Sequence, residues 1–500
     1  MKITIVENPR PLTIEHYNDV ANAPLSASLN SGYALAVART SGWDSAYLDF
    51  TADAGDADAL AARILAEEGD LILFHWVYSW GHEEIVREIM EQLRRESPVP
   101  LGAFGLFPTL SRQRLLRYVP QLDFILAGEF EGTLADLLHS FREKCSLTAM
   151  PGVALWDEAF VPRPLISDLA YLPVPDDVGT NCNYANLNIA ASRGCYGDCG
   201  FCFIHRFYGC SQRRVRPVAS LERELEIRLA RRNIESLYFI DPSFIGLGSR
   251  ERERIVDISR LAKELSLPFG FETRVDSIDP ELLATLANNG ASSVFLGIES
   301  GCDAVLARVG KRITSQQVIR GVRTVQESGI PLTIGFIMFE PDTTLAELEE
   351  NYTFLEGLGL LTDHDLTANL LYHNQIVLYG SAVWERFEQQ GRLLVDSRLP
   401  FEARCRFLDN RVEQVCSAMG RLTAEFFKRR DDIRRDGADT GAACSDYANP
   451  GTPARFNRED ANLLLKEAFL AFCSFAKDPQ PPRLRTLEEH YLLQLRGILT

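Results

Sequence analysis

Along residues 1–145, short apolar runs alternate with longer stretches whose apolar positions recur every three or four residues. The runs KITIVE (2–7), SAYLDF (45–50), DLILFHW (70–76), PLGAFGLF (100–107) and DFILAGE (123–129) have strand length and no internal helical period. Between them, DADALAARILAEEG (56–69) and HEEIVREIMEQLRRE (82–96) carry the apolar stripe of amphipathic helices. Five such units predict an α/β domain over 1–145 with an open parallel sheet and helices on both faces, Rossmann-like or flavodoxin-like in wiring. Ligands of such sheets bind beyond the carboxyl ends of the strands.

Residues 146–186 carry prolines at 151, 162, 164, 173 and 175 and read as a linker with a small hairpin. A second alternation fills 187–395. It starts at LNIAASRGC and continues through SLYFIDPSF (236–244), FGFETRVDS (269–277), SVFLGIES (293–300), PLTIGFIMF (331–339) and a less regular segment at 366–380. Helical stretches at 219–232 and 249–265 separate the first of these, so six right-handed β/α units predict a partial (β/α)6 barrel. Residues 396–500 read as a mainly helical domain, with an exposed loop expected at 429–456.

Composition narrows the partners. The chain has 500 residues, 46% of them hydrophobic, no run with the length of a membrane-spanning helix, and no signal-like h-region at its start, so a cytoplasmic globular protein is expected. A net charge of −17 argues against a nucleic-acid partner, whose backbone calls for a basic surface. The eleven cysteines are an odd number with none before Cys145, a poor disulfide framework and a better source of metal ligands.

Three of them form the most informative local pattern. In ASRGCYGDCGFCF (191–203), Cys195, Cys199 and Cys202 share one loop with Gly194, Gly197 and Gly200, after the first strand of the second domain. Three thiolates on a short loop suit a [4Fe–4S] cluster with one iron left open. Zinc is the competing reading, with His205 or Cys210 as fourth ligand, although no second Cys-x-x-Cys is present. Buried thiols without a metal are the third.

Cys195-x3-Cys199-x2-Cys202, with Phe201 before the last cysteine, resembles the signature of the radical S-adenosylmethionine (SAM) family. LYFIDPSF, FETRVDSID, FLGIESGCDAVLARVGKRIT, GFIMFEPDTTLAELEE and VLYGSAVWERFEQQGRL resemble that family's successive strand ends, over roughly 185–395. The resemblance implies that the open iron chelates SAM and that reductive cleavage yields a 5′-deoxyadenosyl radical. It also implies SAM contacts at Phe201, Glu272, Arg274, Glu299 and Ser300. Arg274 would meet the methionine carboxylate, and an internal salt bridge is the alternative reading of these charges. Asp241 reads as a turn former. FEPDTT (339–344) departs from the family's GxPGET, which leaves Glu340 without a role.

The preceding domain resembles the cobalamin-binding domain of the class B radical SAM methyltransferases. AFGLFPT (103–109) is similar to a GGxHPT loop, AGEFEGTLADLL (127–138) to GEGExTxxEL, and VYSWGHEE (77–84) stands where a corrin-facing loop is expected. The resemblance implies cobalamin contacts at Ser79, Trp80, Gly81, Gly105, Thr109, Gly128, Glu129 and Thr133. Turn glycines and a helix cap at Thr133 are the plainer reading. No Asp-x-His-x-x-Gly occurs, so a histidine-ligated cobalt is not expected, and His75 and His82 read as packing or surface residues. The lower cobalt face is expected to be free, water-bound or covered by a side chain such as Trp80.

The implied activity is methylation of an unactivated carbon in a small-molecule or natural-product intermediate, free or carrier-protein-bound, through the 5′-deoxyadenosyl radical and methylcobalamin. An electron donor such as flavodoxin or ferredoxin is implied as well. A cobalamin-dependent ring-rearranging or cyclising enzyme and a non-catalytic corrinoid and iron–sulfur binding protein are the rivals. Arg206, Arg213, Arg214 and Arg216 form a basic stretch that reads as a solvated face or a phosphate contact.

Overall fold

A computed structural model describes residues 1–11, 27–53, 55–77, 81–179, 185–395, 401–437, 457–478 and 483–499, the side chains of 27, 434–437 and 483 excepted. Strands β1 (Lys2–Glu7), β2 (Asp44–Asp49), β3 (Leu71–His75), β4 (Leu101–Phe104) and β5 (Phe124–Leu126) alternate with helices α1 (Ala27–Thr40), α2 (Ala57–Leu65), α3 (Glu83–Glu96), α4 (Leu106–Tyr118) and α5 (Phe130–Glu143). The sheet order is β2-β1-β3-β4-β5-β6, parallel except for β6 (Val153–Ala154), which the linker folds back against β5. The central strands β1 and β3 are buried almost throughout, as a sheet covered on both faces requires. Val6, Ile72 and Phe74 face the core beneath α2, α3 and α4, whereas Ile3, Ile5 and Leu73 face the core beneath α1 and α5. Helix α3 places Glu83 and Glu84 in its first turn and Arg94 and Arg95 in its last, complementing its dipole. Between β1 and β3 the chain direction of winding reverses, and ligands of such sheets bind at that position, beyond the carboxyl ends of the strands.

The second domain is a five-stranded parallel sheet in the order β13-β12-β11-β10-β7. Its strands are β7 (Asn186–Ile189), β10 (Ser236–Phe239), β11 (Phe269–Arg274), β12 (Ala291–Glu299) and β13 (Leu332–Phe336). Phe239, Phe269, Phe271, Leu296 and Ile334 point to one large core beneath the helices. The alternate positions, Tyr238, Glu272, Arg274 and Glu299 among them, take the other face, the concave side of the partial barrel. A sixth full strand was expected at 366–380. Instead 364–372 is helix, capped by the Asp363 carboxylate, and the sixth position is a single parallel bridge between Phe339 and Asn374.

Two further expectations change. The helices Asn410–Gly437, Arg458–Lys477 and Arg483–Ile498 do not form a core of their own: Met419, Phe426, Phe469 and Phe472 share the barrel's core. Residues 429–437 continue a helix rather than opening a loop, and 438–456 lie outside the described residues. The segment after the barrel also reaches back. β14 (Val377–Leu378), β15 (Leu393–Val395) and β16 (Glu402–Cys405) form a small antiparallel sheet. Phe401 at its edge inserts among Trp76, Phe107 and Tyr118 of the first domain. No helix among the described residues is long and apolar enough to cross a membrane.

Candidate active site

The cysteine loop is closed at its root by a two-residue hairpin, β8 (Ser192–Arg193) against β9 (Arg214–Val215). Gly194 enters the loop at φ +83°, where a side chain would strike the Gln212 carbonyl. Further along, Gly200 donates to the Val309 carbonyl (2.9 Å) and its own carbonyl accepts from Val383 (3.1 Å), so the loop is pinned to two other segments. Asp241 is not a local turn former. It accepts from the Ala191 amide (2.9 Å) and the Ser192 hydroxyl, tying the end of β10 to the loop's entry.

The donor set fits an iron–sulfur cluster. Cys195 and Cys199 are buried, and the Gly197 amide donates to the Cys195 sulfur (3.3 Å). Burial raises the Cys199 thiol, against the pull of Lys311 and Arg274. Burial pushes Cys202 up to about 12, and the neighbouring Cys199 and Cys195 add to the shift. Three thiols on one short loop suit a cluster in which each takes a different iron.

Around the loop, the expected SAM residues separate into two groups. Arg274 lies beside the cluster site: its guanidinium donates to the Cys199 sulfur (3.5 Å), to both Asp276 oxygens (2.9 and 3.0 Å) and to the Lys311 carbonyl (3.0 Å), and it stacks on Tyr196. Glu299 forms a buried pair with Lys311 (2.8 Å) at φ +66°, a strained conformation for a glutamate. Glu272 does not pair with Arg274; the Tyr238 hydroxyl bonds it, and burial next to the Asp241 carboxylate raises its carboxyl to about 7. Phe201 packs against Cys302, Val305 and Val309. Ser300 is turned away from this group. Its hydroxyl donates to Asn351 (2.7 Å), which also receives the Gly301 amide, so Ser300 ties the strand end to the helix Leu345–Gly357.

At the carboxyl edge of the first sheet, Thr109 donates to the Gly105 carbonyl (2.7 Å) and accepts from the Gly128 amide (2.9 Å), joining the loops after β4 and β5. Gly105 sits at φ +112° with the Trp76 carbonyl and the His75 ring where a Cβ would stand. Gly128, at φ +75°, faces open space, and Gly81 is also at positive φ. Ser79 and Trp80 lie outside the described residues. His75 is fully buried, paired with Glu7 through Nδ1 (3.0 Å), with Asn30 at Nε2 (3.5 Å) and Phe104 stacked on its ring, which leaves no nitrogen for cobalt. Asn8, just beyond β1, is 3% exposed, and among the described residues neither atom of its amide has a partner. An orphaned buried amide at the carboxyl edge of the sheet fits a ligand fringed with amides, as cobalamin is.

Two residues expected to meet cobalamin have their side chains engaged within the protein. Thr133 is fully buried against Gly152 and the Pro151 carbonyl of the linker, and it does not cap α5. Glu129 is committed to the Arg193 and Arg214 guanidinium groups and the Ile166 amide. The basic stretch is likewise internal: Arg213 pairs with Glu251, Arg214 with Glu129 and Arg216 with Glu224, and only Arg206 sits at the surface, beside Glu385. Sequence reasoning misses Asn8, Arg193 and Lys311, and it takes Arg214 only as part of a solvated face or phosphate contact. Nothing in the local sequence marks Asn8 or Lys311, whereas Arg193 and Arg214 bracket the cysteine motif.

Comparison with known proteins agrees with this layout. The B12 binding domain family model matches residues 27–138, and that of the radical SAM superfamily matches residues 189–355. An uncharacterized methyltransferase of Pyrococcus horikoshii is 27% identical over 287 residues, 55% of this chain and 61% of that protein. The 4′-phospho-dehydrooxetanocin synthase of Priestia megaterium is 31% identical over 286 residues, 51% of this chain and 38% of the synthase. The chain thus spans less than two thirds of either relative. The fold resembles that of the cobalamin-dependent S-adenosylmethionine radical enzyme OxsB with aqua-cobalamin bound, at TM-score 0.74 and 19% identity, covering 100% of this chain and 78% of that one.

Proposed function

For a chain that belongs to the cobalamin-dependent radical SAM family, with its B12 binding domain ahead of its radical SAM domain, we propose the activity of a methyltransferase acting on an unactivated carbon of a small-molecule intermediate. When bound, a [4Fe–4S] cluster with SAM would supply radical chemistry, and cobalamin a transferable methyl group. Cys195, Cys199 and Cys202 would hold the cluster. Arg274, Glu299 and Phe201 would line the SAM side, with Glu272 deeper on the concave face. Gly105, Gly128, Thr109 and Asn8 would meet the corrin.

The observation that carries the reading is the direct bond between the two loops: Glu129, next to the open Gly128, binds Arg193 and Arg214 at the root of the cysteine loop. Two cofactors held on bonded loops can address one substrate carbon. Arg274 and Lys311 put positive charge beside the thiolates, which favours their ionised, metal-binding form. The substrate, free or carrier-bound, and a flavodoxin- or ferredoxin-like donor complete the proposal.

The test is anaerobic reconstitution of the full chain with iron, sulfide and cobalamin, followed by SAM labelled in its methyl group and a reductant. Label is expected in cobalamin and then in a product drawn from a small-metabolite extract, with 5′-deoxyadenosine released. Cobalamin that never acquires label overturns the methyltransferase. The 25% identity to an anaerobic magnesium-protoporphyrin IX monomethyl ester cyclase of Synechocystis favours a second reading, a ring-rearranging or cyclising enzyme, for which 5′-deoxyadenosine forms and no label reaches product.

A further inference from the structure

The ion-pair cluster between the two domains is built around a conflict. Arg193 and Arg214 are directly opposite each other in the β8–β9 hairpin, and like charges in register repel. Glu129 of the first domain sits between them. It accepts from Arg193 Nη1 (3.1 Å), from Arg214 Nη1 and Nη2 (2.8 and 2.9 Å) and from the Ile166 amide (2.8 Å). Glu131, in the first turn of α5, takes the other Arg193 nitrogen (2.5 Å). Tyr33 and Tyr208 cover the guanidinium faces. Glu129, Glu131 and Arg193 are each less than 10% exposed. Burial would raise the Glu129 carboxyl, and the two arginines hold it below the usual range instead.

A buried cluster of this kind contributes little net stability compared with apolar packing of the same volume, because desolvation offsets the attraction. What it does determine is register. The two arginines lie at the two ends of the segment 194–213, which carries all three ligand cysteines, and Glu129 directly follows Gly128 in the loop after β5. The carboxylate that separates the paired charges comes from the first domain.

We infer that Glu129 is a positioning residue that makes closure of the cysteine loop depend on docking of the cobalamin-binding domain, and thereby sets the spacing of the two cofactors. The inference rests on the proposed function for its cofactors and not for its hairpin mechanics.

The full chain with its cluster reconstituted provides the test, read by hydrogen exchange at residues 192–193 and 214–215 and by retention of iron against a chelator. Glu129→Gln is expected to speed exchange on the order of tenfold or more and to shed iron faster, with exchange in β1 and β3 unchanged. Glu129→Gln combined with Arg214→Gln removes the uncompensated charge and is expected to restore both readouts most of the way. A double variant as labile as the single one, or worse, overturns the inference, since loss of packing alone would add. Should Glu129→Gln not fold, Glu131→Gln, which leaves the Arg214 pair intact, is expected to act on the same amides more weakly, and no effect there overturns the inference as well. Pulsed EPR of the reduced cluster against cob(II)alamin then reports the spacing, which should broaden in Glu129→Gln. Absence of a corrinoid spectrum in the wild type counts against the proposed function, while the exchange result still decides the hairpin.

Discussion

Replacing Lys311 by methionine tests how the strand-end charges are held. The Lys311 ammonium is 2.8 Å from Glu299, both residues are less than 10% exposed, and Gly297 leaves the space they occupy, since a Cβ there would stand 3.1 Å from each. At an effective dielectric near 20 the attraction is about 6 kcal/mol before desolvation is charged against it. The two opposing terms nearly cancel for the intact pair, but Lys311→Met leaves the Glu299 carboxylate buried alone, at a cost of about 3–5 kcal/mol. Glu299 is also held at positive φ, a strain of about 1–3 kcal/mol that the pair and the bond from the Ile337 amide to its carbonyl (2.7 Å) sustain. The double variant Lys311→Met/Glu299→Leu removes the charge altogether and is expected to recover most of the loss. Urea unfolding of the full chain, following the transition of the barrel domain separately because a multidomain chain need not unfold in one step, measures each corner of the cycle. A single variant within about 0.5 kcal/mol of wild type, or a double variant no better than the single, would refute the account of a closed, desolvated pair.

Three other outcomes follow from the same structure. Replacing Cys195, Cys199 and Cys202 by alanine should abolish iron loading, as iron analysis after anaerobic reconstitution would show, because the three thiols of the loop are the proposed ligands. Phe401→Ala should destabilise the docking of the small antiparallel sheet by about 3–5 kcal/mol, seen as faster proteolysis near residue 401, because a fully buried ring is lost from between Trp76, Phe107 and Tyr118. Acid should weaken the first domain early. Glu7 is held down to about 2, since His75, Arg10 and the Ser31 hydroxyl together outweigh the upward push of burial. The folded state therefore gains stability above the usual carboxylate value near 4.5 and loses it, by about 3 kcal/mol in all, as pH falls toward 2. Glu7→Gln should flatten that slope in acid-titrated thermal melts.

Much of the architecture is written in local pattern. The strands of the first sheet are apolar runs only a few residues long, separated by amphipathic helices, and both signals arise from neighbours in sequence. The cysteine loop is similarly local, since three thiols and three glycines within nine residues leave few other chemistries. The sixth barrel position misled the reading because LTANLLYHNQIVLYG is apolar enough for either state, and the Asp363 cap, outside that run, decides for helix over its first part.

What the chain alone determined, then, is the order of its elements and the identity of its metal loop, because periodicity and ligand spacing act over a few residues. The tertiary structure decided where the charges go. Glu129 and Arg214, 85 positions apart, form one cluster, and Arg274 turns to Asp276 and the Cys199 sulfur rather than to Glu272. Arginines that read as a solvated stretch became buried partners of carboxylates on other segments. A charge has no periodicity to reveal its partner. Its place is set by which opposite charge the packed apolar cores bring within reach, and that is known only once the domains are docked.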